Sequence, residues 1–218
     1  RVAEFFFSKI DGNSENNAKK TIDEIKTISF NNVKFSYPDS KLIFDKFNLI
    51  INKGDKIQIA GDNGSGKSTL IRLLLKLYTP DTGTITINNI DLKEINRTNL
   101  ISHISYVPQK SYVFNDSIFA NITYGLQAYD PEYLTELINN FGLNSVETRL
   151  KEESNGLIGE NGNRLSGGEI QKICIARALL AKRKFYILDE ATSNLDQASF
   201  NYLLNIINSS KDTWLVID

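Results

Sequence analysis

The run Gly61-Asp62-Asn63-Gly64-Ser65-Gly66-Lys67-Ser68-Thr69 narrows the possible folds of this chain more than any other feature. It follows an apolar stretch, Lys56 to Ala60, that reads as a strand. It opens a segment, Lys67 to Leu77, that reads as a helix with apolar residues on most faces, hence a buried one. The spacing fits G-x-x-x-x-G-K-[ST] in the strand–loop–helix context that gives the pattern its meaning. Glycines let the backbone curl until successive N–H groups converge on phosphate oxygens. The helix N-terminus adds positive potential. Lys67 reaches the β and γ phosphates as a mobile point charge, and the Ser68 hydroxyl is a hard oxygen ligand suited to magnesium. Residues Gly61 to Thr69 are therefore a candidate cradle for a nucleoside triphosphate.

A second stretch, Phe185-Tyr186-Ile187-Leu188-Asp189-Glu190, is a hydrophobic strand delivering two acids to its C-terminal end. That is where open α/β sheets bind ligands. By itself it is equally a strand meeting a solvated loop. Paired with the upstream cradle, Asp189 is placed to hold magnesium through water, and Glu190 to deprotonate or orient an attacking water. A third stretch, Leu165-Ser166-Gly167-Gly168-Glu169, is another glycine-rich helix start. Ser166 and the glycine N–H groups are able to donate to a phosphate. Ser166 is equally an N-cap with Glu169 completing a capping box, and both readings hold together. One nucleotide needs one phosphate loop, so a second anion-ready loop points to two surfaces sharing one ligand.

The remaining pattern gives the frame. The 218 residues, 41% hydrophobic, suffice for one domain with a subdomain. A net charge of −1, from 25 basic and 26 acidic residues, gives no electrostatic footprint for nucleic acid. The only cysteine, Cys174, reads as a small core residue, with no disulfide framework and a reducing compartment implied. The only histidine, His103, reads as structural or surface, and one Cys with one His argues against structural zinc. No stretch approaches the ~18–20 apolar residues of a membrane span. The chain begins at Arg1, so it is expected to be a piece of something longer, meeting any membrane through other parts. Residues 1–27 read as a linker, polar and flexible over 11–21. Ile28, Phe30, Val33, Phe35 and Tyr37 read as a strand broken at Pro38; Phe44 to Ile51 and Thr84 to Ile87 read as further strands. Residues 112–182 read as mainly helical, with Asp130-Pro131 a helix start and Gly142 its close. A helix begins near Asp196, and Trp214 to Ile217 is a last strand. The order implies an α/β core with an inserted helical subdomain.

The Leu165–Glu169 run resembles the signature motif of ABC ATPases, and the other elements of that family stand in order around it. The resemblance covers residues 28–218 and implies an α/β P-loop NTPase core with an N-terminal antiparallel β-subdomain and an inserted helical subdomain at about 112–182. It implies ATP and Mg2+ as ligands. Tyr37 stands where the family stacks an aromatic ring on adenine, though it is also a plausible strand-edge aromatic. Gln109, in Val107-Pro108-Gln109-Lys110, matches the family's Q-loop glutamine, which senses magnesium and the transmembrane domain; it is alternatively a turn residue. Ser193-Asn194-Leu195-Asp196 resembles the D-loop, with Asn194 where Ala is usual, and Asp196 is either a plain N-cap or a residue reaching a dimer interface. Lys172 stands where arginine is more usual.

Within the family three stretches resemble the exporter branch. Phe114 to Ile122 is similar to the segment that contacts coupling helices. Gly159-Glu160-Asn161-Gly162 is similar to the X-loop, with Glu160 as its acid. Arg1 to Phe6 is similar to the tail of the helix joining the membrane and ATPase parts. The resemblance thus implies a head-to-tail pair of ATPase domains, a transmembrane partner fused N-terminally, a place at the cytoplasmic face of the cell membrane, and no nucleic-acid partner. The family's switch histidine would follow Asp218, so this piece is expected to bind ATP better than it hydrolyses it. The alternatives are a soluble ABC ATPase working on nucleic acid or ribosomes, and a non-hydrolysing nucleotide-binding regulator.

Overall fold

The computed structural model describes residues 20–38, 41–62 and 64–218. Residues 1–19 of the expected 1–27 linker, with its Arg1–Phe6 segment, and the cradle residue Asn63 lie outside the described residues, whereas Ile22 and Ile25 in the remainder of that stretch are buried. The described residues divide into two compact units, one drawn from 20–53 and 61–103, the other from 54–60 and 104–218.

The first unit carries an antiparallel sheet of β1 (Thr27–Ser36), β2 (Leu42–Asn52), β4 (Thr82–Ile87) and β5 (Ile90–Asp91), in the order β2-β1-β4-β5. The second carries a parallel sheet of β3 (Lys56–Ile59), β6 (Ile104–Val107), β7 (Phe185–Asp189) and β8 (Thr213–Ile217), in the order β3-β8-β7-β6.

In β1, Ile28, Phe30, Val33 and Phe35 are buried. Phe30 and Val33 are an odd number of residues apart, yet both face inward. A register shift between them, with Asn32 at φ 48°, absorbs the extra residue and restores the alternation. Phe35 then pairs with Phe44, and Ile28 with Ile51, across β2. Asn88 and Asn89, at φ 52° and 64°, form the tight turn into the short β5, whose backbone hand asparagine tolerates.

Helix α1 (Lys67–Leu74) stops sooner than its apolar pattern suggests. Lys76 takes φ 56°, its N–H donates to the Leu73 carbonyl at 3.1 Å, and the Leu77 N–H reaches Arg72 O at 2.8 Å. This is a left-handed helix stop made without glycine. The Lys76 ammonium also donates to the Ile95 carbonyl at 2.6 Å. Leu77 and Tyr78 are left exposed rather than continuing a buried face. Beyond it lies α2 (Arg97–Ser102), followed by His103, whose Nε2 sits 2.9 Å from the Ile22 carbonyl, a structural contact.

In the second unit all five residues of β7 are buried, as befits an inner strand covered on both faces. Tyr186 stacks on Trp214 of β8 with ring centres 4.2 Å apart. Four helices follow β6 before the chain returns to the sheet: α3 (Ile118–Thr123), α4 (Pro131–Asn140), α5 (Leu143–Ser154) and α6 (Gly167–Leu180). Helix α6 packs on β6 and touches α3, α4 and α5, so it is the axis of this region. Asp130 caps α4 by accepting from the Glu132 and Tyr133 N–H groups, with Pro131 at its start. The segment before α3 is held by Asn121, only 1% exposed, whose amide bonds both Phe114 backbone groups. The Arg177 guanidinium bonds the Asn121 and Tyr112 carbonyls. Cys174 is buried in the same core. Helix α7 (Gln197–Ser209) leads into β8. Among the described residues no helix is long and apolar enough to cross a membrane.

Two strands went unread in the sequence. β5 is only two residues long, and β6, Ile-Ser-Tyr-Val, is four residues cut off by Pro108. Neither is long enough for an alternating pattern to stand out.

Candidate functional site

Gly66 is the N-cap of α1, at φ 101°. A Cβ there would lie 2.8 Å from Ile43 Cγ2 and 3.0 Å from Phe44 Cε1. Glycine is thus required for both backbone hand and space. The Lys67 ammonium donates back to the Gly61 carbonyl, and Ser65 N–H donates to Asp62 O at 3.1 Å, so the loop closes on itself. Lys67 and Ser68 are half-buried and Thr69 is buried. The first-turn N–H groups of a helix have no acceptor within it. A lysine, a hydroxyl and such amides at one helix start form a donor set that fits a polyphosphate. In this same unit Tyr37 receives the Arg72 guanidinium on its hydroxyl at 2.8 Å and lies 3.2 Å from Thr69 Oγ1. The cradle helix thereby fixes the tyrosine's ring, which meets Phe35 and Tyr78 edge-on.

In the second unit, Asp189 ends β7 and is 5% exposed. The Tyr106 hydroxyl donates to its Oδ2 at 3.1 Å. The next residue, Glu190, adopts φ 48° while its N–H still donates to Ile217 O at 2.8 Å. A left-handed non-glycine costs ~1–2 kcal/mol and persists only where its surroundings enforce it. Gln109 donates its amide to Glu190 Oε2 at 2.5 Å. With the nitrogen so committed, the Gln109 carbonyl oxygen faces elsewhere. The sheet order explains the meeting: Val107 pairs with Leu188, so the loops after β6 and β7 leave the same edge side by side. Within this unit the Asp189 carboxylate and the Gln109 carbonyl are both hard oxygen donors, the chemistry magnesium takes.

At the second glycine run, Ser166 Oγ accepts from Glu169 N–H at 3.2 Å, and Glu169 Oε2 accepts from Ser166 N–H at 2.7 Å. The capping box read from sequence is present. Burial pushes the Glu169 carboxyl up, but the Ser166 N–H and the Arg149 guanidinium together outweigh it and hold it below the ordinary range. Leu165 is half-buried, while Ser166 and Gly167 are exposed, so this cradle faces outward from its unit.

Asp196 caps α7, its Oδ1 accepting from Ser199 N–H at 2.9 Å. It also pairs with Lys172 at 2.5 Å. The lysine and then the Ser199 N–H lower its carboxyl to about 2. Lysine at position 172 thus makes a specific contact. Of the X-loop-like stretch, Glu160 begins a short 3-10 turn through Gly162.

Sequence reasoning missed Tyr106 and Gln171. Gln171 is 3% exposed on α6; its Oε1 accepts from Asn194 N–H at 3.1 Å and its Nε2 lies 3.5 Å from Ser193 Oγ. A glutamine two residues after a capping glutamate, amid Ile170, Ile173 and Cys174, was the available signal: a polar residue on a buried face needs partners.

Residues 44–193 match the family described as "ABC transporter". The chain is 45% identical over 184 residues to an export ATP-binding/permease protein of Rickettsia typhi, covering 83% of this chain and 32% of that protein. It is 41% identical over 192 residues to the alpha-hemolysin translocation ATP-binding protein HlyB of Escherichia coli O157:H7, covering 87% of this chain and 27% of HlyB. Among solved structures it superposes with a TM-score of 0.85 on a bacterial Atm1-family ABC exporter with ATP bound, at 31% identity over 100% of this chain and 39% of that one. The chain spans about a third of the length of such relatives.

Proposed function

Because the chain belongs to the ABC transporter family, as an ATP-binding domain akin to those of exporters, we propose that it binds and hydrolyses ATP to drive export across a membrane. The observation that carries hydrolysis is the Gln109–Glu190 contact, which aims a carboxylate held in a costly backbone conformation. ATP is the substrate. The residues from Gly61 to Thr69 hold its phosphates, Lys67 at the β and γ groups, and Tyr37 offers its ring to the adenine. Ser68, Asp189 and Gln109 supply oxygens for magnesium, which when bound neutralises charge on the phosphates. Glu190 accepts the proton of the attacking water, or orients that water, and Gln109 keeps its carboxylate turned.

The outward-facing run Leu165, Ser166, Gly167 and Gly168 covers the γ phosphate bound by a second copy, and Asp196 lies toward that copy. Two domains thus pair head to tail around two nucleotides, and hydrolysis loosens the pair. The transmembrane part is fused N-terminally on the same polypeptide, with residues 1–27 as the link, and it holds this ATPase domain at the cytoplasmic face of the membrane. Support comes from the permease named in the relatives and from the third of their length that this chain spans. The test is Glu190→Gln in the full transporter: it traps an ATP-bound pair with hydrolysis nearly abolished. Unchanged turnover refutes the role given to Glu190. Lys67→Ala weakens ATP binding, and unaltered affinity argues against the cradle.

A further inference from the structure

Residues 190–196 carry the glutamate and the loop that follows it, and the first turns of α6 hold this stretch at successive points. A Cβ on Gly168 would lie 2.5 Å from the Asn194 carbonyl oxygen, so the loop main chain passes directly over the glycine. Gln171 accepts from the Asn194 N–H at 3.1 Å. Its amide nitrogen points to Ser193 Oγ at 3.5 Å, and that hydroxyl donates to the Glu190 carbonyl at 3.2 Å. Lys172, next along, grips Asp196.

The directions are consistent. The Ser193 hydroxyl has one proton and gives it to Glu190 O, so it meets Gln171 as an acceptor. Gln171 is 3% exposed, and both ends of its amide are committed to this loop. A buried amide with both ends on one loop fixes that loop. Glu190 stands at φ 48°, a conformation its surroundings must impose. Its main chain has two anchors: the N–H on Ile217 and the carbonyl on the Ser193–Gln171 relay.

We propose that Gln171 is a positioning residue for hydrolysis, tying the main chain of Glu190 to the helix whose first turn forms the Ser166–Gly168 cradle. The cradle and the glutamate of one chain then move as one piece. A phosphate seated on the cradle sets the glutamate's position. This rests on the ATPase reading above.

The test uses the full transporter, measuring kcat, the ATP dissociation constant and the melting temperature. Gln171→Met keeps the length of the side chain and loses both bonds. Its kcat is expected to fall about 10- to 100-fold, the scale of a sub-ångström to ångström misplacement, with the dissociation constant within about twofold of wild type, since Gln171 touches none of the residues that hold ATP in its own chain. Gln171→Glu keeps the acceptor for Asn194 N–H and is expected to recover part of kcat. Adding Ser193→Ala to Gln171→Met should lower kcat by less than the product of the two single effects, because the two share one relay. Turnover of Gln171→Met within about twofold of wild type overturns the proposal. So does a joint loss of turnover, affinity and melting temperature that Gln171→Glu does not relieve. A wild-type protein that neither binds nor hydrolyses ATP overturns the ATPase reading and this inference with it, whereas the variant results bear on this inference alone.

Discussion

Gly167→Ala and Gly168→Ala are the same chemical change at adjacent positions in the first turn of α6, and the structure expects opposite outcomes. A Cβ on Gly167 would have as its nearest neighbour Asn194 Nδ2 at 3.8 Å, an ordinary contact with a movable side chain. A Cβ on Gly168 would meet the Asn194 carbonyl oxygen at 2.5 Å, about 0.9 Å inside the 3.4 Å where ordinary contact begins. The obstacle is main chain, pinned by Gln171 on its N–H, so it does not swing aside. Replacing helical glycine by alanine gains at most ~1 kcal/mol, less in a first turn. Overpacking of this kind costs ~1–3 kcal/mol. Gly167→Ala is therefore expected to be neutral or up to ~1 kcal/mol more stable, and Gly168→Ala ~1–2 kcal/mol less stable. The separation of about 2 kcal/mol is read from urea midpoints at an unchanged m value. Equal midpoints, or Gly168→Ala the more stable, would refute the packing of this loop on α6.

Tyr106→Phe removes a donor from the buried Asp189 carboxylate and should destabilise by ~1–3 kcal/mol in urea unfolding; an unchanged midpoint rules the bond out as a contributor. Asp196, whose carboxyl is lowered from 3.8 to about 2, contributes stability that is fully present above its unfolded value and lost as pH falls through the folded one. Carboxyl NMR should find it titrating near 2, and Lys172→Met should return it toward 3.8; because the side chain is half exposed, the accompanying stability change should stay below ~1 kcal/mol. Tyr37→Phe keeps the ring and loses the hydroxyl contacts to Arg72 and Thr69, so ATP affinity should change little, whereas Tyr37→Ala should lose the ~1–3 kcal/mol of base stacking; equal affinities for the two variants would exclude a stacking role.

What the sequence determined by itself was local. The spacing from Gly61 to Thr69 dictates a curled loop ahead of a helix, because only glycine takes φ 101° beside Ile43 and Phe44 at Gly66. Ser166 with Glu169, Asp130 with Pro131, and Asp196 each announce a helix start, since a cap needs only a side chain and an amide a few residues away. The run at Phe185–Leu188 declares a buried strand for the same nearest-neighbour reason. The end of α1 was not legible, because Lys76 occupies the left-handed stop usually marked by glycine. Tertiary structure alone decided which distant side chains meet. Gln109 reaches Glu190 because β6 and β7 are neighbours, a strand order that no spacing records. Tyr106 reaches Asp189 across the same pair of strands. Gln171 holds Asn194 because α6 and the loop after β7 pack with no side chain between them at Gly168. Motif spacing fixes backbone geometry over a few residues, whereas side-chain partnership across 23 to 83 positions is set by strand order and packing.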